Sequence, residues 1–320
     1  MASPNLSEII TTTLRDRSGE IADNISKGNP LLWKLRENGA WKPAEGRTIV
    51  QELEYSEGRF TWYSGYDIID VTPADVITAA EYNWAQCAGV VAASGLEIDV
   101  QNTGRAQIID LFETRIRNAQ KTVKNQITVG AYSDGTAFSG KIIGGAQLLL
   151  SDNPTVGTVG GINRANFAFW RNQFFRATTD GGGGMSASNI QAYMDELYLR
   201  CTRGTDKPNV ITADKTSYKF FWASMQGIQR VWDDNTASLG FRALDFGGTP
   251  VFYEDSVGIP ALHMYFWNTD YLFFRYAPKR NFMPLPAERS YNQDALVQLI
   301  LWAGQLTTSN ASLQGVLNNN

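Results

Sequence analysis

The sequence predicts an α+β fold, and three observations carry that reading. Residues 105–129 hold Ile108, Phe112, Ile116, Ala119, Val123 and Ile127 at three- and four-residue steps, which places them on one stripe of a long helix. Between residues 46 and 70 the period drops to two, as in strands. Beyond the helix the chain turns rich in Gly, Asn and Thr, and short strand patterns follow helical ones.

In chain order, residues 1–30 are weakly apolar, with Leu6, Ile9, Ile10 and Leu14 at helical spacing and Gly19, Gly28 and Pro30 breaking the run. This reads as an arm with a short helix. Leu31, Leu32, Trp33 and Leu35 form an apolar patch that docks the arm on a body, its own or a neighbour's. Residues 48–55 and 60–69 read as two strands of a long hairpin turning at 56–59, with Glu52, Glu54 and Glu57 beside Phe60, Trp62, Tyr63 and Tyr66. A lone hairpin is marginal in water, so this one must lie on something, either a partner chain or its own sheet. Thr72, Pro73, Ala74 and Asp75 resemble a helix start. The next stretch, 76–98, is Ala-rich yet alternates, with Thr78, Tyr82, Trp84, Ala88 and Val90 on one side, and is read as a strand.

Asn102, Thr103 and Gly104 supply start chemistry for the long helix, and Gly130, Ser133, Asp134 and Gly135 a stop. Glu113 and Arg117 can pair one turn apart. At 1.5 Å per residue the helix spans roughly 38 Å. Gly157, Gly160 and Gly161 lack both the P-loop Lys-Ser/Thr pair and the GxGxxG spacing, and read as turns. Gly181, Gly182, Gly183 and Gly184 read as a mobile loop tip. Ser188 reads as the cap of a helix with Ile190, Tyr193, Met194, Leu197, Tyr198 and Cys201 on its apolar stripe. Residues 210–212 read as a buried strand and 215–231 as a helix with Tyr218, Phe221, Trp222 and Met225 inside. Strands are expected at 241–246, 250–254 and 261–267, and 294–306 is apolar on both faces, as in a central strand or a buried helix.

Composition narrows the function. The chain has 320 residues, 43% hydrophobic and 19% charged, enough for about two domains with a sizeable core. A formal charge of −4 and a pI near 5.2 leave no basic footprint for tight nucleic-acid binding. No apolar run approaches the roughly 18 residues of a membrane-spanning helix, and the first ten residues lack signal-peptide character, so synthesis in the cytoplasm is expected. Cys87 and Cys201 imply no disulfide framework. His263, the sole histidine, has no second imidazole for a metal pair and no nucleophile motif pointing at it. The acidic pairs Asp67 and Asp70, Asp195 and Glu196, and Asp233 and Asp234 are explained by solvent exposure. No catalytic, cofactor or metal residue is expected.

The order of arm, hairpin, extended segment, long helix, Gly-rich α+β region and returning C-terminal segment resembles the major capsid proteins of tailed bacteriophages, the Hong Kong 97-like fold. The strings that carry it are Ser94-Gly95-Leu96-Glu97 leading into Ile108-Ile109-Asp110-Leu111, Ala119-Gln120-Lys121-Thr122, Gly160-Gly161-Ile162-Asn163-Arg164, Trp170-Arg171-Asn172-Gln173, and Trp267-Asn268-Thr269-Asp270-Tyr271-Leu272. The resemblance implies an N-terminal arm (1–45), an extended loop lying over an adjacent subunit (46–71), a peripheral domain (72–129 and 266–320) with the spine helix 105–129, and an axial domain (130–265). It implies a structural subunit forming hexamers and pentamers of an icosahedral head around double-stranded DNA, without sequence-specific binding and without a membrane. Scaffolding, portal and decoration proteins are the implied partners, and the virion is the implied location, after synthesis in a host bacterium. The expected interface residues are Glu52, Glu54, Phe60, Trp62 and Tyr63, with Leu31, Leu32 and Trp33 docking the arm. Some members of this fold lock the shell covalently through a loop lysine, but no lysine lies between Lys42 and Lys121, so a non-covalent shell is expected; the long helical, charged N-terminal segment that serves some relatives as a built-in scaffold is not seen, so a separate scaffolding protein is expected. An encapsulin-like compartment is the alternative within the fold. An α+β enzyme or small-molecule binding protein is the alternative from another class.

Overall fold

A computed structural model describes residues 28–97, 111–225, 243–254, 258–289 and 293–320. The predicted arm helix, the start of the long helix, Asp233 and Asp234 lie outside the described residues.

The first described helix, α1 (Pro30–Glu37), starts where the sequence supplies the chemistry for it. Asn29 accepts the Leu32 N–H at 3.0 Å and Pro30 occupies the first turn. Leu31 and Leu35 are fully buried, so the apolar patch docks on the chain's own body. The strand β1 (Trp41–Pro43) follows, then β2 (Ile49–Glu54), β3 (Ile77–Tyr82) and β4 (Ala85–Ser94).

Here the hairpin departs from expectation. β2 pairs antiparallel with β3, from Ile49 opposite Tyr82 to Glu54 opposite Ile77, and residues 60–69 form no strand. The reason is packing: β3 offers buried Ala80 and Tyr82 to match Ile49 and Leu53, whereas Phe60, Trp62, Tyr63 and Tyr66 stay exposed among the described residues. Thr72 to Asp75 begin no helix and run extended into β3. The 76–98 region is indeed extended, but it breaks at Asn83 and Trp84, and the buried side of β4 is Ala85, Gly89, Val91 and Ala93, the opposite side from Ala88 and Val90. Gly89 sets that phase. A Cβ there would sit 3.0 Å from Val123 and 3.3 Å from the Ala119 carbonyl, so the helix approaches the strand at a glycine.

That helix, α2 (Leu111–Gly130), buries Ala119, Val123 and Ile127 against the sheet, half-buries Phe112 and Ile116, and pairs Glu113 with Arg117 on its outer face. It stops at Gly130, after which the chain folds back tightly. A Cβ on Gly145 would lie 2.3 Å from the Gly130 carbonyl oxygen. The small strands β5 (Thr158–Val159) and β6 (Ile162–Asn163) turn through Gly160 and Gly161, both at positive φ, as the turn reading requires. Then come β7 (Gln173–Arg176), α3 (Ile190–Arg200), β8 (Val210–Ala213) and α4 (Lys215–Ser224). Asn189, not Ser188, stands at the N-cap of α3; its side chain caps no helix N–H but accepts the Ser186 N–H and donates to the Gly184 carbonyl and to Tyr193 Oη. Asp214 caps α4 by accepting the Thr216 and Ser217 N–H groups. That helix closes at Met225, short of the expected residue 231; residues 226–231 lie outside the described ones. The chain continues through β9 (Ala243–Phe246), β10 (Thr249–Tyr253), β11 (His263–Trp267), β12 (Leu272–Pro284), β13 (Glu288–Arg289), β14 (Ala295–Thr308) and β15 (Gly315–Asn318).

Two main sheets result. In the five-stranded one, β14 is central, with β12 and β13 on one side and β4 on the other, while β1 runs parallel to β12 at the edge. The open choice for residues 294–306 is therefore settled as a central strand. The six-stranded sheet has the order β7-β15-β11-β8-β10-β9. One face, with Phe175, Ile211, Val251, Met264, Phe266 and Leu317, packs on α3 and α4. The other, with Val210, Phe252, Tyr265, Trp267 and Val316, joins Leu31, Tyr132 and Trp170 in the largest core. With both faces covered, every residue of β8 and β11 is buried, which suits their largely apolar sequences. Residues 266–320 are divided between the two sheets, because β15 pairs with β11 and β7.

Candidate assembly surface

The candidate surface is built on the β2–β3 hairpin. Its root is anchored: Tyr82 Oη donates to the Thr308 carbonyl at 3.3 Å, Glu81 N–H to the Gly160 carbonyl at 2.9 Å, and Arg275 to Gln51 at 3.0 Å. Gly160 is needed there, since a Cβ would come within 2.8 Å of Ala80. Trp170 is buried behind it and donates to the Val159 carbonyl, and Arg164 donates to the carbonyls of Leu148 and Leu149. Burial pulls the Arg164 guanidinium down to about 10, which still leaves it charged at neutral pH.

Beyond the root, residues 55–76 leave the body. Trp62 is 90% exposed, Phe60 75%, Tyr66, Ile68 and Val71 more exposed still or nearly as much, and Phe60 and Trp62 meet edge to face at 5.1 Å. Glu52 and Glu54 are exposed beside them. The loop holds its shape through local polar bonds: Arg59 pairs with Asp70, Thr72 donates to Asp70, and Ser64 N–H donates to Asp67. From residue 49 to 82 the hairpin carries seven carboxylates and a single cation, Arg59. Large apolar groups exposed in such a run are a feature that interaction surfaces share. The sequence points to Phe60, Trp62 and Tyr63; Ile68, Val71 and Ile77 belong with them, and the signal available is their apolar character in a stretch with no partner strand.

The other singled-out residues fall elsewhere. Leu31, Leu32 and Trp33 pack into the chain's own core. The glycine quartet is tethered, not free: Tyr193 Oη donates to the carbonyls of Gly181 and Gly183, and Asn189 to that of Gly184. A Cβ on Gly181 would lie 2.5 Å from the Tyr193 ring, so glycine serves close packing there. His263 is buried at the start of β11, with Nε2 3.0 Å from Asp152 and Nδ1 2.8 Å from the Ala261 carbonyl. Burial works against its charge, but these two hydrogen bonds outweigh it and raise the imidazole's pKa. Burial likewise opposes ionisation of Asp152, yet the His263 hydrogen bond and charge lower its pKa. Among the described residues no cluster of three or more metal-ligating side chains occurs and no helix is long and apolar enough to cross a membrane.

Comparison with solved structures decides the fold. The capsid protein of cyanophage A-1(L) superposes with a TM-score of 0.71, covering 99% of this chain and 98% of that one at 16% identity. The chain has the Hong Kong 97-like capsid fold. The capsid protein of the native GTA particle matches with a TM-score of 0.66 at 10% identity over 96% and 95% of the two chains. The SrpI encapsulin of Synechococcus elongatus matches with 0.54 at 14% identity over 96% and 92%. No family model and no curated protein matches the sequence.

Proposed function

We propose that this protein is a major capsid protein of a tailed phage, a structural subunit that assembles into hexamers and pentamers of an icosahedral head enclosing double-stranded DNA. The observation that carries the proposal is the anchored, acidic hairpin whose large apolar groups stand exposed, uncovered among the described residues. In this reading the β2–β3 hairpin with residues 55–76 is the extended loop of the Hong Kong 97-like fold, and α2 is its spine helix. Copies related by rotation can cover each other's loops in a closed ring, which is how a head-to-tail contact terminates. Near full-length likeness to phage and GTA capsid proteins supports the same reading. The contacts are non-covalent, in keeping with the absence of lysine between residues 42 and 121. Scaffolding, portal and decoration proteins are its partners, and the virion is its location.

A second reading, an encapsulin-like compartment, is favoured by the likeness to SrpI encapsulin, though that likeness is weaker, 0.54 against 0.71 for the cyanophage protein. Negative-stain electron microscopy of the protein, expressed alone and with its neighbouring genes, tests the proposal. Closed shells or capsomer rings are expected. A monomer or dimer under both conditions refutes it, and shells that package a co-expressed protein in place of DNA would shift the assignment to the second reading.

A further inference from the structure

An apolar cavity of about 370 Å³ lies between β4, the C-terminal half of α2 and the turn at 136–143. That is within the range, roughly 300–1,000 Å³, in which pockets hold an organic group. Its apolar walls include Cys87, Ile127, Phe138, Ile143 and Trp302. Two features set it apart from a packing defect. Phe138 and Ser139 both adopt left-handed backbone, at φ 53° and 59°, a conformation that non-glycine residues rarely take, and Phe138 is 73% exposed at the cavity. The indole N–H of Trp302 is buried with no acceptor among the described residues.

The rim is basic. Lys141 lines the cavity and is exposed, and Arg280 donates to Gln86, another lining residue, at 2.6 Å, with exposed Lys279 beside it in sequence. Asp134, at the near end of the same turn, is engaged by Thr136. The extended hairpin is the reverse in charge and the same in apolar character, with its seven carboxylates and its exposed Phe60–Trp62 pair. Its own root is held at Thr308 and Arg275, neither of which lines the cavity, so a second copy is the natural source of the ring.

We infer that the cavity between β4, α2 and the 136–143 turn is the receptor for the Phe60–Trp62 aromatic pair of an adjoining copy, with Lys141 and Arg280 facing that copy's loop carboxylates. The inference rests on the shell reading and names the surface the loop meets. The indole of Trp62 fills the apolar floor, Phe60 packs on its edge at the mouth, and the arriving loop brings backbone carbonyls to the Trp302 N–H.

Cys87 makes this testable, because it lines the cavity while the other thiol, Cys201, is fully buried. In Trp62→Cys particles oxidised with copper phenanthroline, the thiol introduced in the loop of one copy should join Cys87 of the next, giving a ladder of ring-linked multimers on non-reducing gels. Intact particles yielding only monomers overturn the inference and leave the shell reading standing. In unaltered particles, maleimide labelling of Cys87 at pH 8.5 should run at least tenfold slower than in the unassembled subunit, a readout that holds even where the Trp62→Cys variant does not assemble. Equal labelling rates overturn the inference. Failure of the unaltered chain to assemble under any condition removes the shell reading, and the inference with it.

Discussion

Replacing Trp62 by Ala separates folding from assembly, because the side chain is 90% exposed in the single chain. Surface substitutions of this kind shift subunit stability by no more than about 0.5 kcal/mol, so the urea midpoint of the unassembled subunit should not move. On assembly the indole goes from exposed to covered. An aromatic side chain buries about 150–250 Å², which at about 25 cal/mol per Å² gives a gross gain near 4–6 kcal/mol. Ordering of the loop and imperfect complementarity take back part of it, and truncation of a buried interface aromatic typically costs about 2 kcal/mol or more. A loss of about 2 kcal/mol per contact corresponds to roughly a 30-fold weaker contact. The assay is light scattering against subunit concentration. The threshold for assembly should rise by at least tenfold in Trp62→Ala, with the urea midpoint unchanged. An unchanged threshold refutes the argument, and a lowered midpoint would show that the ring already packs within its own subunit.

Other outcomes follow from the same coordinates. Gly145→Ala should destabilise the subunit by about 3 kcal/mol or prevent folding, since its Cβ would meet the Gly130 carbonyl and backbone cannot yield as a side chain can; Gly58→Ala, with open space around it, should be near neutral in the same urea titration. Ile127→Ala should cost about 2–4 kcal/mol by leaving a cavity under α2, read as a fall in melting temperature. The His263–Asp152 pair makes stability depend on pH in a defined direction. His263, with its pKa raised in the fold, contributes fully below its ordinary value of 6.5 and loses the contribution as pH climbs through the folded value; Asp152, with its pKa lowered, contributes above its ordinary 3.8 and loses it as pH falls further. The melting-temperature gap between the unaltered chain and Asp152→Asn should therefore be wider at pH 5.5 than at pH 9.5, and a constant gap would count against the pairing. When mature particles are boiled in detergent this chain should run as a monomer near 35.5 kDa, and a covalent ladder of its multimers would contradict the non-covalent shell.

What could be read from the residues was what one chain buries for itself. The α2 stripe, the turn glycines 160 and 161, the strands β8 and β11 and the apolar patch of Leu31, Leu32, Trp33 and Leu35 all follow from local patterns satisfied by the chain's own core. Periodicity misplaces the hairpin because alternating aromatics at 60–69 look like a strand whether their partner is another segment or another molecule. Only the pairing of Ile49 with Tyr82 and of Glu54 with Ile77 reveals that the loop between them is unsupported within the subunit. It inverts the phase of β4 because Ala88 and Val90 outrank Gly89 in hydropathy, while the actual contact is helix backbone against a glycine. Tyr193 lies 10–12 residues from the carbonyls it holds and Asp152 lies 111 from His263, separations over which no pattern in the sequence links the partners. The exposed loop aromatics were legible as residues; the cavity that we assign to them, assembled from four segments, was not.

The most direct measurement is an electron cryomicroscopy reconstruction of the assembled particle. Hexamers and pentamers on an icosahedral lattice, with residues 55–76 of each copy lying across its neighbour, are the predicted result. Particles that never form, or a lattice in which that loop folds back on its own subunit and touches no other, would contradict the account.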